Sequence, residues 1–268
     1  DIFSITEGVI EAVFKTAGAG RIKTPFKRIT YQEAMDRFGT DKPDMRFEME
    51  LADLTADLKG CEFKIFKEVI SKRGIIKGLN YKKQADISRS KVDALVDFAK
   101  SQGAGGLVYM KIEKGELISP VAKFFSKDEQ RALISKLKAD EGDLLLIVAD
   151  TPAVTNAVLD LIRRKLGKEA GLTGEKEFDF LWVVDFPLFK YNDTEKRWES
   201  EHHPFTAIKE EDEEVLEKDL TAVRARSYDL TINGVEMGSG SIRIHDRKLQ
   251  KMIFKTIGIS DELSLIHI

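Results

Sequence analysis

Apolar residues recur at helical spacing from Ile5 to Thr16, which predicts an amphipathic helix ending at the alanine and glycine run Ala17 to Gly20. Phe26 to Ile29 then reads as a short strand, and Thr30 with Glu33 forms a capping box for a helix running to about Phe38. Gly39 closes that helix and Pro43 disfavours helix at Lys42, so Gly39 to Asp44 is a loop and a natural domain boundary. From about Arg46 to Leu166 the pattern is that of a self-contained α/β unit. Phe63 to Val69 and Ile75 to Leu79 read as strands, and Ser88 or Ser90 caps a helix through Gln102 with Gly103 just beyond. Leu107 to Ile112 is the next strand, and Ser126 with Glu129 makes a second capping box for a helix to about Ala139. The Glu141-Gly142-Asp143 turn leads into the buried-type strand Leu144 to Ala149, and Thr151-Pro152 opens a last helix. After Gly171 the sequence is β-rich. Phe178 to Phe186 is an aromatic strand, the acidic run Glu210 to Glu217 reads as a solvated helical face, and Lys248 to Ile257 as a closing helix.

Composition narrows this picture. With 268 residues and 42% apolar content, the chain can bury one sizeable core or two smaller ones. A net charge of -3 with 33% charged residues gives no global basic field, so any RNA contact must come from local patches. The lysines and arginine at Lys64, Lys67, Lys72, Arg73, Lys77, Lys82 and Lys83 could form such a patch, and a solvated face is the reading favoured. The one cysteine, Cys61, excludes an internal disulfide, suits a reducing cytoplasm and reads as a small buried hydrophobe. Leu144 to Ala149, among the longest apolar runs, is far short of a membrane span. Asp1 is not a start methionine, and the last six residues, LSLIHI, resemble a translated transposase end. Both point to a reading frame truncated at its two ends.

Chemistry concentrates in Tyr228 to His245, YDLTINGVEMGSGSIRIH. Asp229 to Ile232 is a strand by its β-branched content, Asn233-Gly234 is a strong hairpin signal, and Val235 begins the returning strand. Such a turn can bring Asp229 and Glu236 close together, and two adjacent carboxylates make physical sense with a divalent cation between them. Gly238, Ser239 and Gly240 allow a ligand or neighbouring backbone to approach the strand closely, and Arg243 offers a planar fork suited to a carboxylate. Solvated Asn-Gly hairpins with flanking charges are common, so spacing alone leaves a structural reading open.

This block resembles the late catalytic-core segment of bacterial aspartyl-tRNA synthetases. Three further segments match that family in the same order: RFGTDKPDMR (Arg37 to Arg46), SPVAKF (Ser119 to Phe124), and Leu181 to Thr206 with LWVVDFPLF and EHHPFT. The resemblance implies an α/β (α+β) chain in which the antiparallel class II catalytic sheet with its helices is interrupted by an inserted GAD-like α/β domain. Residues 1–45 and 171–262 would then be catalytic core, 46–170 the insertion and 263–268 a non-native tail. It implies that Asp229 and Glu236 hold Mg2+ and ATP, that Arg243 reads the substrate's side-chain carboxylate, and that His202 and His203 line the amino-acid pocket with Gly238, Ser239 and Gly240. Ser239 departs from the glycine the family often has there. The Gly39 to Asp44 loop, with Asp41 and Lys42, would lie near the active-site entrance. Aspartate, ATP and tRNA are the implied ligands, a cytoplasmic homodimer the implied parent, and aspartate-tRNA ligation the implied activity. The family's anticodon-binding barrel, dimerisation segment, phosphate-gripping arginines and aspartate-binding glutamine and lysine have no match, so the chain by itself is expected to be inactive. The alternatives are a non-catalytic tRNA-contacting or amidotransferase-associated module, and an asparaginyl or lysyl synthetase, families without the large insertion.

Overall fold

The computed structural model describes residues 1–20, 22–174 and 177–260; the expected tail at 263–268 lies outside them. Two compact units divide the chain, one made of residues 1–33 with the chain from 178 onward, the other of residues 34–177. The first begins with α1 (Ile2–Ala17), β1 (Lys27–Thr30) and the start of α2 (Tyr31–Phe38). Helix α1 ends where Gly18 takes a left-handed φ of 63°, as its run of small residues predicts. Thr30 Oγ1 accepts from the Glu33 backbone N–H at 3.1 Å, fixing the start of α2.

The second unit contains β2 (Leu51–Asp53), α3 (Lys64–Ser71), β3 (Ile75–Tyr81), α4 (Arg89–Ser101), β4 (Val108–Glu113), β5 (Glu116–Ile118), α5 (Lys127–Lys136), β6 (Leu144–Asp150) and α6 (Pro152–Glu169). Its strands form one antiparallel sheet in the order β2-β3-β6-β4-β5. Leu144 to Val148 of β6 are fully buried because alternate residues serve opposite faces. Leu144, Leu146 and Val148 pack with Leu95 and Ala99 of α4 and Leu159 and Ile162 of α6, while Leu145 and Ile147 pack with Phe66 of α3 and Leu133 of α5. Helices thus cover both faces, and the layers follow from the two periodicities alone.

Two expectations are corrected in this unit. Phe63 to Val69 is not a strand: residues 64–71 form α3, because Phe66 and Ile70 share one helical face while Ile65, which suggested alternation, is 55% exposed. Lys77 is not part of a solvated basic face. It is buried in β3 and its ammonium donates to the backbone carbonyls of Met35 (3.0 Å) and Asp36 (3.3 Å), near the C-terminal end of α2. Those bonds, with Arg163 lying 4.9 Å from the Phe38 ring, tie the second half of α2 to the second unit.

Cys61 is buried as expected, and burial pushes its thiol up. Labelling with a thiol reagent at pH 8 should therefore be at least roughly a hundred-fold slower in the native protein than in urea. Equal rates would contradict the packing described.

The first unit resumes with β7 (Phe180–Val184), β8 (Phe189–Asn192), β9 (Arg197–Ser200), β10 (Ser227–Ile232), β11 (Val235–Ser241) and α7 (Arg247–Thr256). Its main sheet has the order β1-β7-β10-β11, parallel between β1 and β7 and antiparallel thereafter. One face carries Phe180, Trp182 and Leu230 against Phe3, Ile10 and Phe14 of α1, and the Trp182 indole donates to Glu7 at 2.9 Å. A second cluster joins Leu188, Ile208 and Val223 to Ile253 and Phe254 of α7. Among the described residues no helix is long and apolar enough to cross a membrane.

The acidic run Glu210 to Glu217 is also corrected, since only Glu210–Asp212 forms a single 3-10 turn. Asp212 is buried and accepts a bidentate pair from Arg224, Nε at 2.8 Å and Nη2 at 2.7 Å. The guanidinium hydrogen bond holds that carboxyl below its usual range. A carboxylate inside the run had a specific cationic partner, which a charge count does not reveal.

Candidate functional site

The hairpin forms where the sequence predicts it, with Asn233 at φ 51° and Gly234 at φ 82°, the positive pair that a type I′ turn needs. Asp229 pairs with Ser239 and Leu230 with Gly238, but Thr231 pairs with Glu236, so Met237 is an extra residue in β11. Side chains opposite one another across an antiparallel ladder share a face. Without the bulge Glu236 and Ser239, three apart, would point to opposite sides. With it, Asp229, Thr231, Glu236 and Ser239 stand together on the face away from α1. Glu236 is diagonal to Asp229, a relation that places two residues about 7–8 Å apart with their Cβ atoms somewhat closer. Asp229 is 4% exposed, whereas Glu236 is exposed.

Beyond β11 the alternation continues. Ser241 and Arg243 follow Ser239 at steps of two, and Arg243 bridges to Thr206. This junction is locked by backbone bonds from Ala207 N to Ile242 O (2.8 Å), Ile242 N to Arg226 O (2.9 Å) and Ile244 N to Phe205 O (2.9 Å). The paired histidines differ. His202 is exposed and packs edge-on against Phe186, with ring centres 4.9 Å apart. His203 accepts at Nδ1 from the Phe205 N–H (3.2 Å), and burial with the neighbouring Arg243 charge holds its imidazole below its ordinary value, so it is neutral at pH 7. His203 is thus the histidine that faces the Arg243 field.

The glycines have an unexpected neighbour. A Cβ on Gly240 would come within 2.6 Å of Tyr228 Oη and 2.8 Å of its ring, whereas one on Gly238 would meet nothing within 4 Å. The close approach that Gly240 permits is therefore that of Tyr228. Gly240→Ala should destabilise the protein by about 1–3 kcal/mol through overpacking, and Gly238→Ala by less than about 0.5, as read from thermal melts. Equal shifts would show that Tyr228 is not the reason.

The Gly39 to Asp44 loop is built within the second unit. Gly39 has φ 73°, and a side chain there would strike the Asn156 carbonyl at 2.5 Å. Lys42 pairs with Asp41 at 2.7 Å, and Asp44 receives the Arg46 guanidinium at 2.6 and 3.0 Å. Desolvation opposes ionisation of Asp44, but the bonds from Arg46 outweigh it and leave the carboxyl below its usual range.

Among the described residues no three His, Cys, Asp or Glu side chains gather as a metal cage. The hard oxygen donors of Asp229 and Glu236 on one face nonetheless fit Mg2+, which takes one or two protein carboxylates and completes its shell from phosphates and water. Sequence reasoning had no account of Thr206, Ser227 and Ser241, although the step of two through Ser227, Asp229 and Thr231 was a visible signal.

The family model for tRNA synthetases class II (D, K and N) matches residues 1–265. The chain is similar to the aspartate-tRNA(Asp/Asn) ligase of Caldanaerobacter subterraneus subsp. tengcongensis, 48% identical over 98% of this chain and 44% of that protein. It is 47% identical to the protein of that name from a Thermoanaerobacter species, with the same two coverages. The aspartate-tRNA ligase of Shouchella clausii is 46% identical over 98% of this chain and 45% of its own length. The chain thus spans less than half the length of these relatives.

Proposed function

Because this chain belongs to the class II tRNA synthetases of the D, K and N group, we propose that it supplies the late catalytic-core segment and the insertion of an aspartate-tRNA ligase. The observation that carries this reading is the single β10/β11 face, on which the bulge gathers Asp229 and Glu236 and strand alternation adds Arg243. The overall reaction joins aspartate to ATP with release of pyrophosphate, then passes the aspartyl group to the terminal adenosine of tRNA.

In this reading Asp229 and Glu236 hold a magnesium ion, which when bound supplies positive charge to the ATP phosphates. The β-ladder orients both carboxylates before substrate arrives. Arg243 takes the substrate's side-chain carboxylate in its fork, a contact that a neutral amide cannot reproduce. Neutral His203 lines the pocket without competing for that carboxylate or repelling an ammonium group, and the backbone at Gly238 and Gly240 borders it. The second unit is a GAD-like insertion. Aspartate, ATP and tRNA are the ligands, and the parent is a cytoplasmic homodimer. A non-catalytic tRNA-contacting module is the weaker reading, since such a module needs neither the paired carboxylates nor the arginine beside them.

The test is a hybrid ligase, the Caldanaerobacter protein with its matched segment replaced by this chain. Pyrophosphate exchange should depend on aspartate and not on asparagine or lysine, with the unaccompanied chain silent. Exchange driven by asparagine or lysine would overturn the substrate assignment.

A further inference from the structure

An ion pair at the end of β7 has no role in the functional reading. Strand β7 pairs Val183 with Asp229 and ends at the next residue, Val184. Asp185 follows with φ 59°, a left-handed backbone that aspartate tolerates better than most residues. That turn leads directly into Phe186, which is fully buried, accepts the Ala225 N–H on its carbonyl at 2.7 Å and offers its ring to His202. The Asp185 carboxylate accepts from the Lys209 ammonium at 2.7 Å, with Arg224 Nη1 4.0 Å away. Lys209 lies on the stretch that carries His203. There the Thr206 N–H donates to the His203 carbonyl at 3.1 Å, Thr206 bridges to Arg243, and the Lys209 N–H donates to the Arg224 carbonyl at 3.0 Å. The pair therefore spans the turn behind His202 and the stretch behind His203. Its side chains are 15% and 28% exposed, so solvent screens it less than an ordinary surface pair. A second carboxylate near Lys209, that of Glu211, stands farther off at 3.7 Å and is exposed.

We propose that Asp185 and Lys209 are positioning residues for the amino-acid pocket, a latch between the end of β7 and the 202–209 stretch that holds both histidines in place relative to Arg243. This rests on the functional reading above and extends it to residues that touch no ligand in it. Backbone bonds tie Ala207 to Ile242 and Lys209 to Arg224, and the ion pair adds a hold on the Asp185 turn itself. Aspartate serves both needs at that position, since its short carboxylate meets the lysine from a backbone that bulkier side chains resist. A pocket whose walls shift by an ångström loses the alignment on which binding and reaction depend.

Asp185→Asn and Lys209→Met test the latch in this chain and in the hybrid ligase. Asparagine keeps the left-handed turn and methionine the length of lysine, so each removes a charge with little change of shape. In this chain, proton NMR of His203 reports the latch, because burial and Arg243 hold its imidazole below the ordinary value. Loosening the stretch in Asp185→Asn should move that titration up towards the ordinary value. Loss of a negative charge by itself would move it down, so the direction separates the two causes. In the hybrid, each variant should raise the KM for aspartate roughly five- to fifty-fold and leave the KM for ATP within about two-fold. The double variant should be no worse than either single one, since the two groups act as a pair. An unmoved His203 titration with unchanged aspartate KM, or parallel increases for aspartate and ATP, would overturn the assignment while leaving the ligase reading intact. An unsubstituted hybrid with no aspartate-dependent exchange would remove both together.

Discussion

Glu236→Gln in the hybrid ligase should lower the rate of aspartate-dependent pyrophosphate exchange by roughly a hundred-fold or more, the scale seen when one group stabilising transition-state charge is lost. Glutamine has nearly the volume of glutamate and Glu236 is exposed on β11, so the fold has little reason to change. What is lost is one of two hard anionic donors. The KM for ATP should rise and the defect should narrow as Mg2+ is increased, because a weaker ligand set shifts affinity for the ion. The KM for aspartate, assigned in the proposed function to Arg243, should move much less. Asp229→Asn is a poorer probe, since a 4% exposed carboxylate also bears on packing. Wild-type exchange in Glu236→Gln would remove the metal role from this face.

The largest stability effect should come from Arg163. This α6 residue is fully buried, donating to the carbonyls of Phe47 (2.8 Å), Met49 (3.0 Å) and Glu48 (3.3 Å), with its guanidinium 4.1 Å from the Phe47 ring centre. It holds a segment whose Met49 has φ 83°, a conformation a non-glycine residue rarely keeps unaided. Burial lowers Arg163 to about 10, so it remains charged at pH 7. On the same face of α6 the Asp160 carboxyl is raised by its own burial, although Arg164 pairs with it at 2.7 Å. Arg163→Ala should cost about 3–5 kcal/mol, since it strands the carbonyls and removes a positive charge near Asp160. The urea midpoint should fall accordingly, and Arg163→Lys should recover only part because an ammonium cannot span three carbonyls as a fork does. A loss below about 1 kcal/mol in Arg163→Ala would mean that the segment is held by its apolar contacts alone.

Much of this architecture was legible wherever a local chemical signal sufficed. Ser126 and Glu129 form both bonds of the capping box, Ser88 and Thr151 cap their helices, and the Asn233-Gly234 turn sets the hairpin. The paired carboxylates and Arg243 were visible as residue types at suggestive spacing. Spacing did not reveal the Met237 bulge, however, and that one residue decides which face Glu236 takes. The errors share a cause. Lys77 and Asp212 are charged residues buried by partners that neither local pattern nor charge count points to, and α3 was misread because a short apolar run fits either period. The short strands β2, β5, β8 and β9 owe their form to the partners beside them, with little propensity of their own.

Ligase activity is read most plainly from charging of bacterial tRNA with labelled aspartate by the hybrid, beside the unmodified Caldanaerobacter protein and the hybrid carrying Arg243→Leu. Charging by the hybrid should lie within about ten-fold of the unmodified protein, with loss of at least a hundred-fold in the Arg243→Leu form. A hybrid that melts cooperatively yet charges no tRNA, or one indifferent to Arg243→Leu, would contradict the ligase reading.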